Sequence, residues 1–192
     1  MAPLGNGFLA RLITALIMVS IFLALIWIES IQVGFFIAVT IVAGVGLSEY
    51  YNLIRAKGIV IHSKIGIVVG MLIAASGVLG SLQITNLLLV LGVIGVVFFQ
   101  LIRGESTIST IFASVGGIFY VGWTAAHVNL MHGTELIGPG LVTVLIVAVA
   151  LTDCGAYFVG KAIGKHKLAP VVSPNKTWEG SIGGFVFTGL GM

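Results

Sequence analysis

Apolar residues run through the chain in long blocks separated by short polar punctuation, and the blocks have the length of membrane-crossing helices. Leu12 to Ile28 carries no charge and, with its flanks, is long enough for the ~30 Å hydrocarbon core. A secretory signal would show a shorter apolar region and a small-x-small cleavage site, and Glu29-Ser30-Ile31-Gln32 is not one. It therefore reads as a retained first span. Gln32 to Leu47 turns back as a second, with Gly34 and Ala38 four apart, and ends in Ser48-Glu49-Tyr50-Tyr51-Asn52. The two tyrosines are expected at the headgroup level, where amphipathic rings anchor helices.

A basic loop from Arg55 to Lys64 leads into a third span, Ile65 to Gly80. Its Gly66/Gly70 and Ser76/Gly80 pairs would admit a neighbouring backbone. Asn86 to Ile102 is the fourth span, closed by Arg103-Gly104-Glu105-Ser106. Ile108 to Leu130 is the fifth, with Gly116-Gly117 in its middle. Pro139 opens the sixth, Leu141 to about Ile163, where a missing N–H costs nothing. A seventh helix begins near Trp178 and runs into Met192. The pattern predicts an all-α, polytopic transmembrane helix bundle of about seven spans, a single domain over 1–192.

Composition agrees: 58% of residues are hydrophobic and 8% charged, against roughly 25% charged in a soluble domain. The net charge of +3 is too small and too localised for a nucleic-acid partner, which wants a basic face with interleaved aromatics. Cys154, the one cysteine, cannot form an internal disulfide and reads as a small residue at a helix contact. The basic residues sharpen the topology. With the N-terminus in the cytoplasm, all nine Lys and Arg fall on inside segments, as the positive-inside rule asks.

Polar chemistry concentrates between Leu151 and Gly180. Asp153 interrupts an apolar run, and a carboxylate inside a membrane helix costs at least ~2.5–3.5 kcal/mol, so it is read first as functional, facing a cavity, a cation or a proton path. A structural pair with Lys161 is the plainer alternative. Gly155 to Gly160-Lys161-Ala162 imitates a phosphate-binding loop, but it lacks the hydroxyl after the lysine and does not follow a strand. Its glycines read as small packing faces. Ser173 and Pro174 fit a helix entry, as cap and first helical residue, where backbone N–H groups and Lys176 would favour an anion. Thr177 would add a hydroxyl, and Glu179 an oxygen for a cation such as Mg²⁺. The plainer reading is a capped helix whose lysines meet anionic headgroups. His127 and His132, five apart, are expected to be interfacial residues on the outer side. His62 and His166 lie among basic residues with nothing that demands a role.

Asp153-Cys154-Gly155-Ala156-Tyr157-Phe158-Val159-Gly160-Lys161, then Gly164-Lys165-His166-Lys167-Leu168-Ala169-Pro170, then Ser173-Pro174-Asn175-Lys176-Thr177-Trp178-Glu179-Gly180 closely resemble the bacterial phosphatidate cytidylyltransferases. Glu49-Tyr50-Tyr51-Asn52-Leu53 before Lys57-Gly58 resembles the end of that family's second span. The resemblance implies an enzyme of the bacterial inner membrane, its site facing the cytoplasm, that converts CTP and phosphatidate to CDP-diacylglycerol and pyrophosphate with Mg²⁺. It implies that Asp153, Lys176 and Glu179 are catalytic, with Asp153 and Glu179 holding or orienting a cation. Lys165, Lys167, Ser173, Asn175 and Thr177 would bind substrate. Membrane lipids are the implied partners, and a homodimer stays open. That family's later signature, with Lys-Asp, a His-Gly-Gly turn and an Asp-Arg pair, is not present before Met192. The expectation is therefore a C-terminally incomplete version whose 192 residues alone are inactive. The alternative is a cation- or proton-coupled transporter using Asp153; its usual inverted repeats and broken helices are not visible in the sequence.

Overall fold

The computed structural model describes residues 17, 19–104, 107–170 and 173–192. Arg11, the start of the first expected span, Glu105, Ser106 and Val172 lie outside the described residues. The chain forms two compact units, 1–139 and 140–192. Helix α1, described over 19–27, leads through a 3₁₀ turn to α2 (Gln32–Ala56). Then come α3 (Ser63–Ser76), α4 (Leu82–Arg103), α5 (Ile108–Gly117) and α6 (Thr124–His132). Helix α7 (Gly138–Ile163), a hairpin of β1 (Lys167–Ala169) and β2 (Ser173–Thr177), and α8 (Trp178–Gly191) follow. The protein is all-α apart from that hairpin. Four helical stretches are long and apolar enough to cross a membrane: Glu29–Ala56, Leu82–Arg103, Ile108–His132 and Gly138–Ile163.

Local signals set the helix ends. Ser81 and Thr107 cap α4 and α5, their hydroxyls accepting from the Ile84 and Thr110 amides at 3.4 and 3.2 Å, which satisfies donors a helix start leaves open. Gly104 closes α4 in the left-handed region at φ 70°, which glycine enters without a steric cost.

The first unit is apolar outside as well as inside, unlike a soluble domain. Large apolar side chains such as Val42, Leu72, Phe98 and Ile102 point outward, which lipid tolerates because its tails are as apolar as leucine. The interior combines large apolar side chains such as Phe35, Leu47, Ile73 and Ile118 with small and polar groups. Helices α2, α3 and α4 alternate in direction, with α2 against α3 and α3 against α4. A Cβ added at Gly122 would fall 2.8 Å from the Gly70 carbonyl oxygen, so these two backbones touch. Asn129 donates to the Ala74 carbonyl at 2.9 Å, and Ser76 to the Thr85 hydroxyl at 3.1 Å.

Several expectations are corrected here. Tyr51 is fully buried, not at the headgroup level, and its hydroxyl donates to the Ser114 carbonyl at 2.9 Å. The space comes from Gly66 and Gly117, each of which abuts its ring or hydroxyl. His132 is 2% exposed and stacks on Phe35 with ring centres 4.1 Å apart, so its ring is packed inside the protein rather than presented at the surface. The fifth span is not one uniform helix, for Ile118–Trp123 winds as a π-helix between α5 and α6. A π turn bonds residues five apart, and Gly117 and Gly122, five apart, both meet neighbouring helices.

In the second unit, α7 and α8 run antiparallel and close. A Cβ at Gly155 would meet the Gly183 carbonyl oxygen at 2.8 Å, and one at Gly184 the Thr152 carbonyl at 2.6 Å. The Thr152 and Thr188 hydroxyls meet at 2.7 Å. Ser173 and Pro174 are not the helix entry. They lie in β2, and the cap is Thr177, extended at φ −125°, whose Oγ1 accepts from the Gly180 amide at 3.2 Å. Both positions carry a capping residue, and hairpin pairing decides between them. The Trp178 amide donates to the His166 carbonyl at 2.9 Å, so the strand runs to the helix's first residue.

Candidate active site

The hairpin gathers the basic residues. Lys167 pairs with Thr177 and Ala169 with Ser173, so β2 carries extra residues between its two pairs, and these form an irregular outward bend. Pro174, Asn175 and Lys176 on that bend are exposed, as are Lys165 and Lys167; Ser173 is half-buried. Thr177 is 6% exposed. Its hydroxyl caps α8 and packs against Gly160 and Gly164, which ties the hairpin to the end of α7.

Glu179 fastens the segment that leads into the hairpin. Its Oε1 accepts from His166 Nδ1 at 2.6 Å, and its Oε2 from the Lys165 amide at 3.2 Å; the His166 amide reaches both oxygens at 3.3 Å. These donors, the His166 side chain first, lower the Glu179 pKa from an ordinary 4.5 to about 2, because hydrogen bonds to the charged form favour it. The carboxylate also sits in the first turn of α8, where negative charge is favoured. Residues 165 and 166 are therefore held at the helix entry while the Lys165 and Lys167 side chains stay outside. Sequence reasoning gave His166 no role; its signal was a Glu in the first turn after a capping Thr, an acid placed to receive a preceding loop.

Asp153 lies on α7 beside the glycine face, exposed and without an ion-pair or hydrogen-bond partner among the described residues. A pair with Lys161 does not form; the Lys161 ammonium lies over the Tyr157 ring, 5.6 Å from its centre. The neighbours of Asp153 contact α8 near Gly184 and Phe187, whereas Glu179 serves residues 165 and 166. At 1.5 Å per residue that is a separation of roughly 10 Å along the helix axis, and Glu179 is turned towards residues 165 and 166. Among the described residues no three His, Cys, Asp or Glu side chains gather into a metal-binding group. With both Glu179 oxygens taken by N–H donors, Asp153 is the acid here with open coordination. Cys154 is exposed.

The arrangement offers a rigidly tethered, lysine-rich loop at one end of α7 and a carboxylate deeper along the same helix. Such a loop attracts polyanions, and the carboxylate suits a cation that travels with them.

A family model described as "Cytidylyltransferase family" matches residues 9–192. A phosphatidate cytidylyltransferase of Staphylococcus aureus is 32% identical over 181 residues, which cover 91% of this chain and 66% of that protein. One of Brucella suis is 48% identical over 68 residues, 35% of this chain and 25% of that protein. The chain thus spans from a quarter to about two thirds of the curated relatives it matches. No solved structure matches it significantly. The match along nearly its whole length makes this chain a member of the cytidylyltransferase family.

Proposed function

We propose that the full-length protein transfers a cytidylyl group from CTP to phosphatidate, releasing pyrophosphate and leaving CDP-diacylglycerol. In this reaction a phosphate oxygen of phosphatidate attacks the α-phosphorus of CTP, and the bond from that phosphorus to the bridging oxygen of pyrophosphate breaks. The observation that carries the proposal is the loop held by Glu179, whose Lys165, Lys167 and Lys176 are exposed together beside an apolar helix bearing an unpaired carboxylate. Relatives that match this chain carry the name phosphatidate cytidylyltransferase. A transporter that uses Asp153 has no support from them.

Transfers of this kind depend on positioning and on neutralising charge. Lys176, on the outward bend, would grip the triphosphate with Asn175 and Ser173. Lys165 and Lys167 would draw in both anionic substrates. Thr177 and Glu179 act by holding the loop in place. Mg²⁺ fits Asp153 if the rest of its shell comes from substrate phosphates and water, its usual habit. When bound there it would supply positive charge to the reacting phosphates.

The seven-span arrangement with a cytoplasmic N-terminus, in a bacterial inner membrane, belongs to the same proposal. In the first unit, Arg55, Lys57, Lys64 and Arg103 sit at the end of α2, the start of α3 and the end of α4. Alternating helix directions bring these to one end, as the positive-inside rule requires of a cytoplasmic face. Helices α1 and α3, together with α8 beyond its polar first turn, would complete the count.

The direct test is release of pyrophosphate from CTP by the purified full-length protein in phosphatidate micelles. Release should require phosphatidate and fall at least a hundredfold in Asp153→Asn. Release that ignores phosphatidate, or an unaffected variant, would refute the assignment.

A further inference from the structure

The end of the first unit opposite its basic loops encloses a cavity of about 440 Å³. Trp27, Glu29, Gln32, His132, Thr134 and Glu135 are among the side chains that line it. Its chemistry inverts that of the other end: two carboxylates, with no lysine or arginine in the lining.

His132 supplies an independent sign of a ligand. The ring is 2% exposed, stacks on Phe35, and meets Phe36 edge-on at 5.3 Å, so its orientation is fixed. Its Nε2 lies 3.1 Å from the Ile26 carbonyl oxygen. A carbonyl only accepts, so Nε2 carries the hydrogen, and a neutral ring then presents Nδ1 as an acceptor. Nδ1 is buried and has no partner among the described residues, an arrangement native proteins avoid unless a bound group completes it.

We propose that this cavity binds a primary ammonium group. An ammonium offers three N–H donors, one for His132 Nδ1 and the others for Glu29 and Glu135, which also balance its charge. A metal ion is a poorer match, since no three ligating side chains converge among the described residues. The ammonium can come from an aminophospholipid headgroup or from a free amine. Trp27 and the fully exposed Leu136 flank the cavity, which places it at headgroup depth by the usual position of interfacial aromatics.

The test uses full-length protein with ¹⁵N-labelled histidine in phosphatidylglycerol nanodiscs. His132 is assigned as the signal that disappears in His132→Gln. Added phosphatidylethanolamine should move the His132 Nδ1 signal, and phosphatidylcholine, whose headgroup has no N–H, should not. Movement by free ethanolamine as well would identify a small-amine site, and movement by the lipid alone a headgroup site. Combined Glu29→Gln and Glu135→Gln should raise the half-saturating concentration about tenfold, or roughly 1.4 kcal/mol. No movement with either amine, or equal movement with phosphatidylcholine, would overturn the proposal and leave a cavity that holds water.

Discussion

At the scale of single residues, side chains of similar type are used in opposite ways according to their surroundings. Asp153 and Glu179 are both acids on apolar helices, yet Glu179 is saturated by donors from residues 165 and 166 while Asp153 has none among the described residues. Because the Glu179 pKa is lowered from 4.5 to about 2, its hold on the loop is complete above pH 4.5 and is lost as pH falls through 2. Protection of the Lys165 and His166 amides, taken relative to intrinsic exchange at each pH, should therefore be high at pH 5 and lost near pH 2. In Glu179→Gln it should be low at both. Tyr51 makes a different prediction: Tyr51→Phe removes one buried hydrogen bond to Ser114 and should cost about 1 kcal/mol, read as a lowered unfolding midpoint. Asp153 was legible in the sequence because a lone acid in an apolar run is conspicuous. The burial of Tyr51 and His132 was not foreseen because it depends on residues elsewhere in the chain, the space left by Gly66 for Tyr51 and the ring of Phe35 for His132, which local polarity does not report.

At the scale of elements, the lengths of apolar blocks carried most of the information. Ile65–Gly80 was read as a span; a helix is there, α3 with its closing 3₁₀ turn, Gly77–Leu79, but it is shorter than the four stretches long enough to cross a membrane. Trp178 was read as the start of the last helix and is. The β hairpin and the π-helical turn were not visible. Strand pairing of Lys167 with Thr177 is a contact across ten residues, and it overrides the capping signal at Ser173-Pro174. The π turn depends on α3 lying against Gly122. Gly122→Ala would drive a methyl into the Gly70 carbonyl, a backbone atom that cannot rotate aside, and should destabilise the first unit by about 1–3 kcal/mol. Thr177→Ala should cost about 1 kcal/mol through the lost cap of α8, with a matching rise in proteolysis at the hairpin.

For the whole molecule, basic charge is sorted by end in the first unit: Arg55, Lys57, Lys64 and Arg103 lie at one end, with Glu49 in the same half of α2, and Glu29 and Glu135 lie at the other. That sorting was readable from the sequence once spans were drawn, because a hydrocarbon layer keeps charged groups at its two surfaces. With Cys154 replaced by Ser, a cysteine at Lys167 should react with a membrane-impermeant maleimide only after cells are opened. One at Glu135 should react in intact cells, and the reverse pattern would invert the proposed topology. In the proposed topology the lysine loop would face the cytoplasm, where nucleotides are available, and the proposed reaction needs that placement. The most direct measurement follows phosphorus from CTP into lipid, using full-length protein with phosphatidate and CTP labelled at either the α- or the γ-phosphate. Cytidylyl transfer predicts label in the lipid from the α position alone, lost in Asp153→Asn. Label entering from the γ position, or none from either, would contradict it.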